Sequence, residues 1–394
     1  MSKPLDDRRV EPLLLKVEIR RPSAAGIYRN VLIKHCAKSE KKRVLLKISM
    51  RRFVKNTEHF ARGRGDVMGR ISLHMLALGA LVGSFLVPSV AMSAEGGAGF
   101  YLLGSKGPAA GITPPPGVYF QNDFYYYRGD LGGNKSLPTG GKLAVGVTGT
   151  AAIEIPTVMW VLPETIAGGS LGLGASLPFG WKKTEADVVL NGPRVGEVSR
   201  GVRDTVFTIG DPIVSGFLGW QTGNFHYQVG TLVNVPIGDY QDGEISNIAF
   251  HHWGADIFAA GTWLDPAIGW DLSGVVGITF NAENPATDYR TGNEFHFEWA
   301  AVKHFNAKFD AGLVGYYYQQ LSGDSGDGAA APFKGRVAAI GATAGWNFEL
   351  GETPLSARVK YFHEFAAENR AEGDAVILTL SMPLSVKKPM VSAD

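Results

Sequence analysis

The chain has 394 residues, of which 51 are glycine, 11% are aromatic and only 19% are charged. Glycine is enriched about twofold over ordinary globular usage, and a mean hydropathy near zero excludes a bundle of apolar membrane helices. The single cysteine, Cys36, excludes a disulfide framework or a thiolate metal site in the rest of the chain.

The small net charge of +1 hides an asymmetry. Residues 1–70 carry 19 Lys and Arg against 7 Asp and Glu, whereas the remainder carries 19 basic and 30 acidic residues. We expect residues 1–67 to be a basic extension outside the mature protein, with translation starting at Met50 or Met68. Met68-Gly-Arg70 precedes an apolar run from Ile71 to Val87, then Pro88 and the small residues Ser89–Ala94. That order of charge, apolar core and small-residue site is the pattern of a secretory leader over 68–94, cleaved after Ala94. The run is short for a membrane helix, which needs ~20 residues.

The mature chain opens with a Gly/Pro segment, 95–117, containing Gly96–Gly104 and Pro114-Pro-Pro-Gly117. It has little capacity for ladder pairing and is expected to fold into the lumen described below as a plug. From Val118 onward, apolar and polar residues alternate with period two, the mark of a strand with one face in an apolar medium and the other in a polar one. The predicted strands cover Val118–Tyr127, Lys142–Glu154, Ser170–Phe179, Val206–Trp220, Phe225–Val235 and Ala255–Trp263. Six more run over Ile268–Asn281, Glu294–Phe305, Phe309–Gln320, Arg336–Leu350, Leu355–Phe365 and Val376–Leu384.

In the fourth strand the apolar parity changes at Pro212, which calls for a bulge or an edge. Residues 157–163 are apolar without alternation and are assigned to a hinge. The polar stretches 129–141, 183–203, 238–252, 282–291 and 322–333 are predicted loops. They alternate with short turns near 222, 265, 306 and 352.

Twelve long strands, short turns on one side and long polar loops on the other predict an all-β, up-and-down antiparallel transmembrane barrel over 118–386, followed by a tail at 387–394. Closure is required in a membrane, because an open sheet edge in hydrocarbon leaves backbone groups unbonded.

The polar parity supplies the candidate site residues. His226, Gln228, Asp271, Ser273, Glu294, His296, Glu298, Arg358, Lys360 and Glu364 all fall on it and are expected to line a lumen whose charges set selectivity. Glu294, His296 and Glu298 also have the residue types of a metal site, but a polar wall accounts for their spacing more simply. Asp324-Ser-Gly-Asp327 lacks the ligand set of a calcium loop and reads as a solvated loop. Nucleophile elbows, zinc motifs and phosphate loops are not found. No catalytic residue, cofactor or metal is therefore assigned, and no nucleic-acid partner.

Four segments carry a resemblance. Asn284-Pro-Ala-Thr-Asp-Tyr289-Arg-Thr-Gly292-Asn-Glu-Phe-His296, Gly315-Tyr-Tyr-Tyr-Gln319, Phe100-Tyr-Leu-Leu-Gly104-Ser and Pro114-Pro-Pro-Gly117 are similar to recurring segments of the meta-pathway of phenol degradation family of outer-membrane transporters. The resemblance spans most of 95–385. It implies a porin-like barrel in the bacterial outer membrane, inserted by the barrel assembly machinery, that passes small hydrophobic or aromatic solutes by passive diffusion. A barrel-borne lipid or ester hydrolase, or a structural or adhesive barrel, is the alternative.

Overall fold

The computed structural model describes residues 99–136, 142–192, 196–329, 332–351 and 353–386. The expected basic extension, leader and C-terminal tail lie outside the described residues.

Fourteen strand segments form one antiparallel sheet. They are β1 (Gly117–Ser136), β2 (Lys142–Ile166), β3 (Gly169–Ser176), β4 (Phe179–Gly192), β5 (Gly196–Ile209), β6 (Ile213–Thr222) and β7 (Phe225–Asn234). The second half holds β8 (Gly254–Asp265), β9 (Trp270–Asn281), β10 (Glu294–Asn306), β11 (Phe309–Gln320), β12 (Arg336–Leu350), β13 (Thr353–Glu368) and β14 (Glu372–Val386). The ring closes where β1 pairs with β14, from Gly117 opposite Val386 to Asp130 opposite Glu372.

Two pairs of segments are halves of single staves, so the ring has twelve. β2 pairs with β4 along Lys142–Glu154 and with β3 along Thr157–Ile166, which sets β3 and β4 end to end. β4 pairs with β5 and β3 with β6, which does the same for the next stave. Proline causes both breaks. It has no N–H to give the ladder, and Pro178 and Pro212 sit in the two interruptions, with Pro156 near the same level of β2. Bonds across the gap run from Leu177 N–H to the Pro156 carbonyl (3.1 Å) and from Gly210 N–H to the Pro178 carbonyl (2.8 Å). The parity change at Pro212 is thus a broken stave rather than a bulge.

Three other expectations are corrected. Residues 183–203 are not a loop; they belong to the β4–β5 hairpin, paired from Phe179 opposite Ile209 to Gly192 opposite Gly196. The predicted loop 129–141 is likewise shortened, because β1 runs to Ser136. Residues 157–163 are part of β2 rather than a hinge. In each case polarity or lack of alternation was read as loop, whereas a hairpin reaching beyond the membrane can be wet on both faces. β-branched residues such as Val188, Val189, Val198 and Val202 still favour extended backbone there.

Both ends of the barrel wall and the turns near 167, 223, 267, 307 and 351 lie on one side. The long connections 235–253, 282–293 and 321–335 lie on the other, together with the tight β4–β5 and β13–β14 connections. Side chains alternate as period two requires. On β9, Trp270, Leu272, Val276 and Phe280 are exposed while Asp271, Ser273, Val275, Thr279 and Asn281 are buried. Around the outside, exposed Val229, Ile257, Val276, Leu313, Ile340 and Leu378 form an aliphatic belt. Exposed Phe225, Trp270, Phe305, Trp346 and Phe348 edge it on the short-turn side. An apolar band flanked by aromatics matches the layering of a bilayer.

Candidate functional site in the lumen

The interior is not uniform. One half is packed: buried Ala300, Val302, Val314, Tyr316, Val337 and Ile377, from β10, β11, β12 and β14, close around Tyr101 and Leu103 of the N-terminal segment. The other half holds a cavity of about 1700 Å³.

The N-terminal segment, from Gly99 to the start of β1, runs down the inner wall. Near the long-loop end, Phe100 packs against Gly254 at the top of β8. Tyr101 stacks on His296 (ring centroids 3.6 Å apart) and donates its hydroxyl to Glu298 Oε1 at 2.9 Å. The Gly104 N–H reaches the same oxygen at 3.1 Å. Lys360 then binds a turn of the segment with all three ammonium hydrogens, donating to the carbonyls of Gly104 (2.6 Å), Ser105 (2.7 Å) and Lys106 (3.1 Å). Lower down, Ala109 N–H meets Asp271 Oδ2 at 2.8 Å and Gly111 N–H meets Thr262 Oγ1 at 2.9 Å. Gln228 Nε2 donates to the Ile112 carbonyl (3.0 Å) and to Thr113 Oγ1 (3.1 Å).

Two glycines make this fit possible. Gly104 has φ of +79°, and a Cβ there would lie 2.6 Å from the Phe362 ring. At Gly111 a Cβ would lie 2.5 Å from the His226 carbonyl oxygen and 2.7 Å from Thr262 N. The segment's backbone therefore touches the backbone of the wall.

The ten candidate residues fall into distinct places. Gln228, Asp271, Glu298 and Lys360 are buried and bond the N-terminal segment directly. His296 is its stacking platform and pairs through Nε2 with Asp256 at 2.9 Å. Ser273 donates to Asp271 at 2.5 Å and bonds Thr262 at 2.8 Å, so it holds two anchors in position. Glu294 accepts from Tyr318 (2.5 Å) and Asn281 (3.0 Å). Glu364 accepts from Tyr127, Tyr316 and the Gly373 N–H. Arg358 sits nearer the short-turn end, paired with Asp310 at 2.8 Å and Thr343 at 3.1 Å. His226 is half-buried, and its backbone rather than its ring meets the segment. Among the described residues, no cluster of His, Cys, Asp and Glu has the arrangement of a metal site.

Other functional positions were not picked out in the sequence. Asp256 and Thr262 lie on β8, whose small residues blur the alternation. Asp211, between β5 and β6, is buried and accepts from Gly238 N–H (2.9 Å), Phe250 N–H (2.8 Å), His251 N–H (2.9 Å) and Asn234 Nδ2 (3.0 Å). It ties the 235–253 connection to the inside of the broken stave. An Asp beside a proline in mid-strand was the available signal. That connection buries Ser246, Ile248 and Ala249. Lys182 donates to the Asn247 carbonyl at 3.0 Å. The loop thus folds inward and forms part of the cavity wall, together with Phe120, Tyr125, Met159, Phe217 and Phe258.

A closed ring with an apolar outer face, aromatic edges and a half-packed, half-open interior is a membrane-spanning β-barrel of the outer-membrane type. The chain belongs to the family described as "Putative MetA-pathway of phenol degradation", whose model matches residues 132–380. Among solved structures, it is similar to the COG4313 outer membrane channel from Pseudomonas putida F1, with 14% identity, 69% of this chain and 96% of that chain covered, and a TM-score of 0.52. At that identity the likeness concerns the fold. The CymD monoaromatic hydrocarbon channel aligns over 70% of this chain and 90% of its own, at 10% identity and a TM-score of 0.29. A Pseudomonas aeruginosa FadL homologue aligns over 67% and 88%, at 10% identity and the same TM-score. No curated protein matches the chain.

Proposed function

We propose that the protein is a passive outer-membrane channel for small hydrophobic or aromatic compounds, with the N-terminal segment as a plug that narrows it. The carrying observation is the cavity of about 1700 Å³ inside the ring, walled largely by apolar and aromatic side chains. A site for one small molecule is commonly ~300–1000 Å³, so this one accommodates a solute in transit. Water alone needs no such lining, and a folding core would have filled the space.

Flow is down a gradient. Width and wall polarity act as the filter, and no energy source or cofactor is required. The family membership and the fold shared with the Pseudomonas putida outer membrane channel support this reading. The plug rests on the bonds from Glu298, Lys360, Asp271, Thr262 and Gln228.

The test is uptake of an ultraviolet-absorbing aromatic solute into vesicles whose outer leaflet is lipopolysaccharide, a layer such solutes cross slowly. Reconstituted protein should raise the initial rate. A rate equal to that of empty vesicles, for protein shown to be folded by heat-modifiable gel migration, would refute the channel.

A further inference from the structure

The charged groups facing the cavity are unequally satisfied. Its buried carboxylates are fully engaged by protein donors. Asp123 accepts from Gln121 (2.6 Å) and Thr379 (2.5 Å), Glu364 from two tyrosines and a backbone N–H, and Asp211 from four donors. Asp242, Glu244 and Glu349 also line it but are exposed to solvent.

The cations differ. Lys360 has spent its hydrogens on the segment, and Lys182 bonds a loop carbonyl. The ammonium of Lys106 lies 4.1 Å from the centroid of Phe258 and, among the described residues, meets no hydrogen-bond acceptor. Arg370, also on the cavity wall, keeps its Nη1 buried without a partner and lays its guanidinium over Tyr318 at 4.3 Å. A buried donor without an acceptor costs its full desolvation free energy. Arg370 is in that position but has Glu364 and Glu294 near it, whereas the half-buried Lys106 offers the cavity an ammonium that no acceptor among the described residues engages.

Around Lys106, the rings of Phe258 and Phe217 pack with Leu232 and the segment's own Ala110. An apolar body lying on those rings brings an attached anionic group to the ammonium.

We infer that Lys106 forms a binding subsite for solutes with an apolar or aromatic body and one carboxylate, the carboxylate accepting hydrogen bonds from its ammonium. This rests on the channel reading and narrows its solute class. Burial holds the Lys106 pKa below the usual lysine value, while the charges of Glu298 and Asp256 act in the opposite direction. An incoming carboxylate supplies the close partner that those two carboxylates do not.

Because Lys106 belongs to the N-terminal segment, a carboxylate solute binds to the plug itself rather than to the fixed wall. The same contact then couples occupancy of the cavity to the position of the plug.

The experiment compares benzoate with benzamide, which has the same ring and nearly the same shape but no charge. Equilibrium binding is measured on the full-length purified barrel, and uptake on the lipopolysaccharide vesicles. Wild-type protein should bind benzoate about tenfold more tightly than benzamide, since one charge-assisted bond is worth about a decade in affinity. Lys106→Met should abolish that preference while leaving benzamide binding within twofold, and Lys106→Arg should retain it. Folding of each variant is checked by heat-modifiable migration. Equal affinities in wild type, or an undiminished preference in folded Lys106→Met, would overturn the subsite. If benzamide is taken up and benzoate has no advantage, this inference alone falls. If neither solute enters, the channel reading falls with it.

Discussion

Lys360→Met gives the sharpest test of how the N-terminal segment is held. The lysine is buried on β13, and each of its three ammonium hydrogens goes to a carbonyl of residues 104–106. Methionine keeps most of the volume and none of the donors. Hydrogen bonds to a charged group are worth ~1.5–3 kcal/mol each, and bonds sharing one donor group do not add fully. The variant also leaves Glu298 without its nearby cation, a loss of the kind that costs ~3–5 kcal/mol in buried pairs. Docking should therefore weaken by about 3 kcal/mol, on the order of a hundredfold in the equilibrium between docked and released segment. The wall should stay intact, because its ladders do not involve the lysine side chain.

The assay is maleimide labelling of Ser105→Cys in reconstituted barrels. Its rate follows the released fraction when opening is fast. We expect labelling roughly a hundredfold faster in the Lys360→Met background, accompanied by larger single-channel conductance. Lys308→Met, on the exposed β10–β11 turn, should change neither. Unchanged labelling in a correctly folded Lys360→Met barrel would show that the three bonds do not hold the segment, and the plug would lose its main support.

Removal of residues 99–113 should raise conductance without loss of heat-modifiable migration; a deletion barrel with wild-type conductance would count against a plug. Val276→Arg, on the lipid-facing parity of β9, should cost ~2–4 kcal/mol at mid-membrane, read from the urea midpoint of unfolding in lipid. Ser273→Arg on the opposite parity should affect stability less and change ion selectivity; equal costs at the two positions would undo the assignment of faces. Asp211→Ala removes the acceptor of three backbone N–H groups and of Asn234. It should release the inward loop, detected as new protease cleavage within 235–253 while the barrel resists.

Much of the barrel was legible because one physical rule governs it. Where a strand divides lipid from the interior, as on β9 and β10, outward residues are mostly apolar and inward ones mostly polar, with Val275, Ala300 and Val302 as the inward apolar exceptions. The twelve staves follow from this rule. The rule fails where the environment is not two-sided. The β4–β5 hairpin read as loop because its residues are largely polar. Residues 157–163 lie near the level of Pro156 and Pro178, where the neighbouring stave is interrupted. The N-terminal segment was recognisable only as a stretch unfit for pairing. Its contacts depend on which wall residues come face to face across the ring, and period two does not record that. Glu298 and Lys360 could be placed on the inner side, but their meeting at Gly104 needed three dimensions. Lys106 gave no signal at all, being one lysine in a glycine-rich segment.

The seam between β1 and β14 has a consequence for how the molecule is made. Glu298 meets Tyr101 across 197 residues of chain, and Lys360 meets Gly104 across 256. No ribosome-bound fragment can assemble these contacts, because the last staves must exist before the ring has an inside. Loop closure over such separations is slow. An unfinished sheet would have two unpaired margins and no seat for the N-terminal segment. A chain truncated in β13 would have neither a sealed wall nor the Lys360 contact that holds residues 104–106.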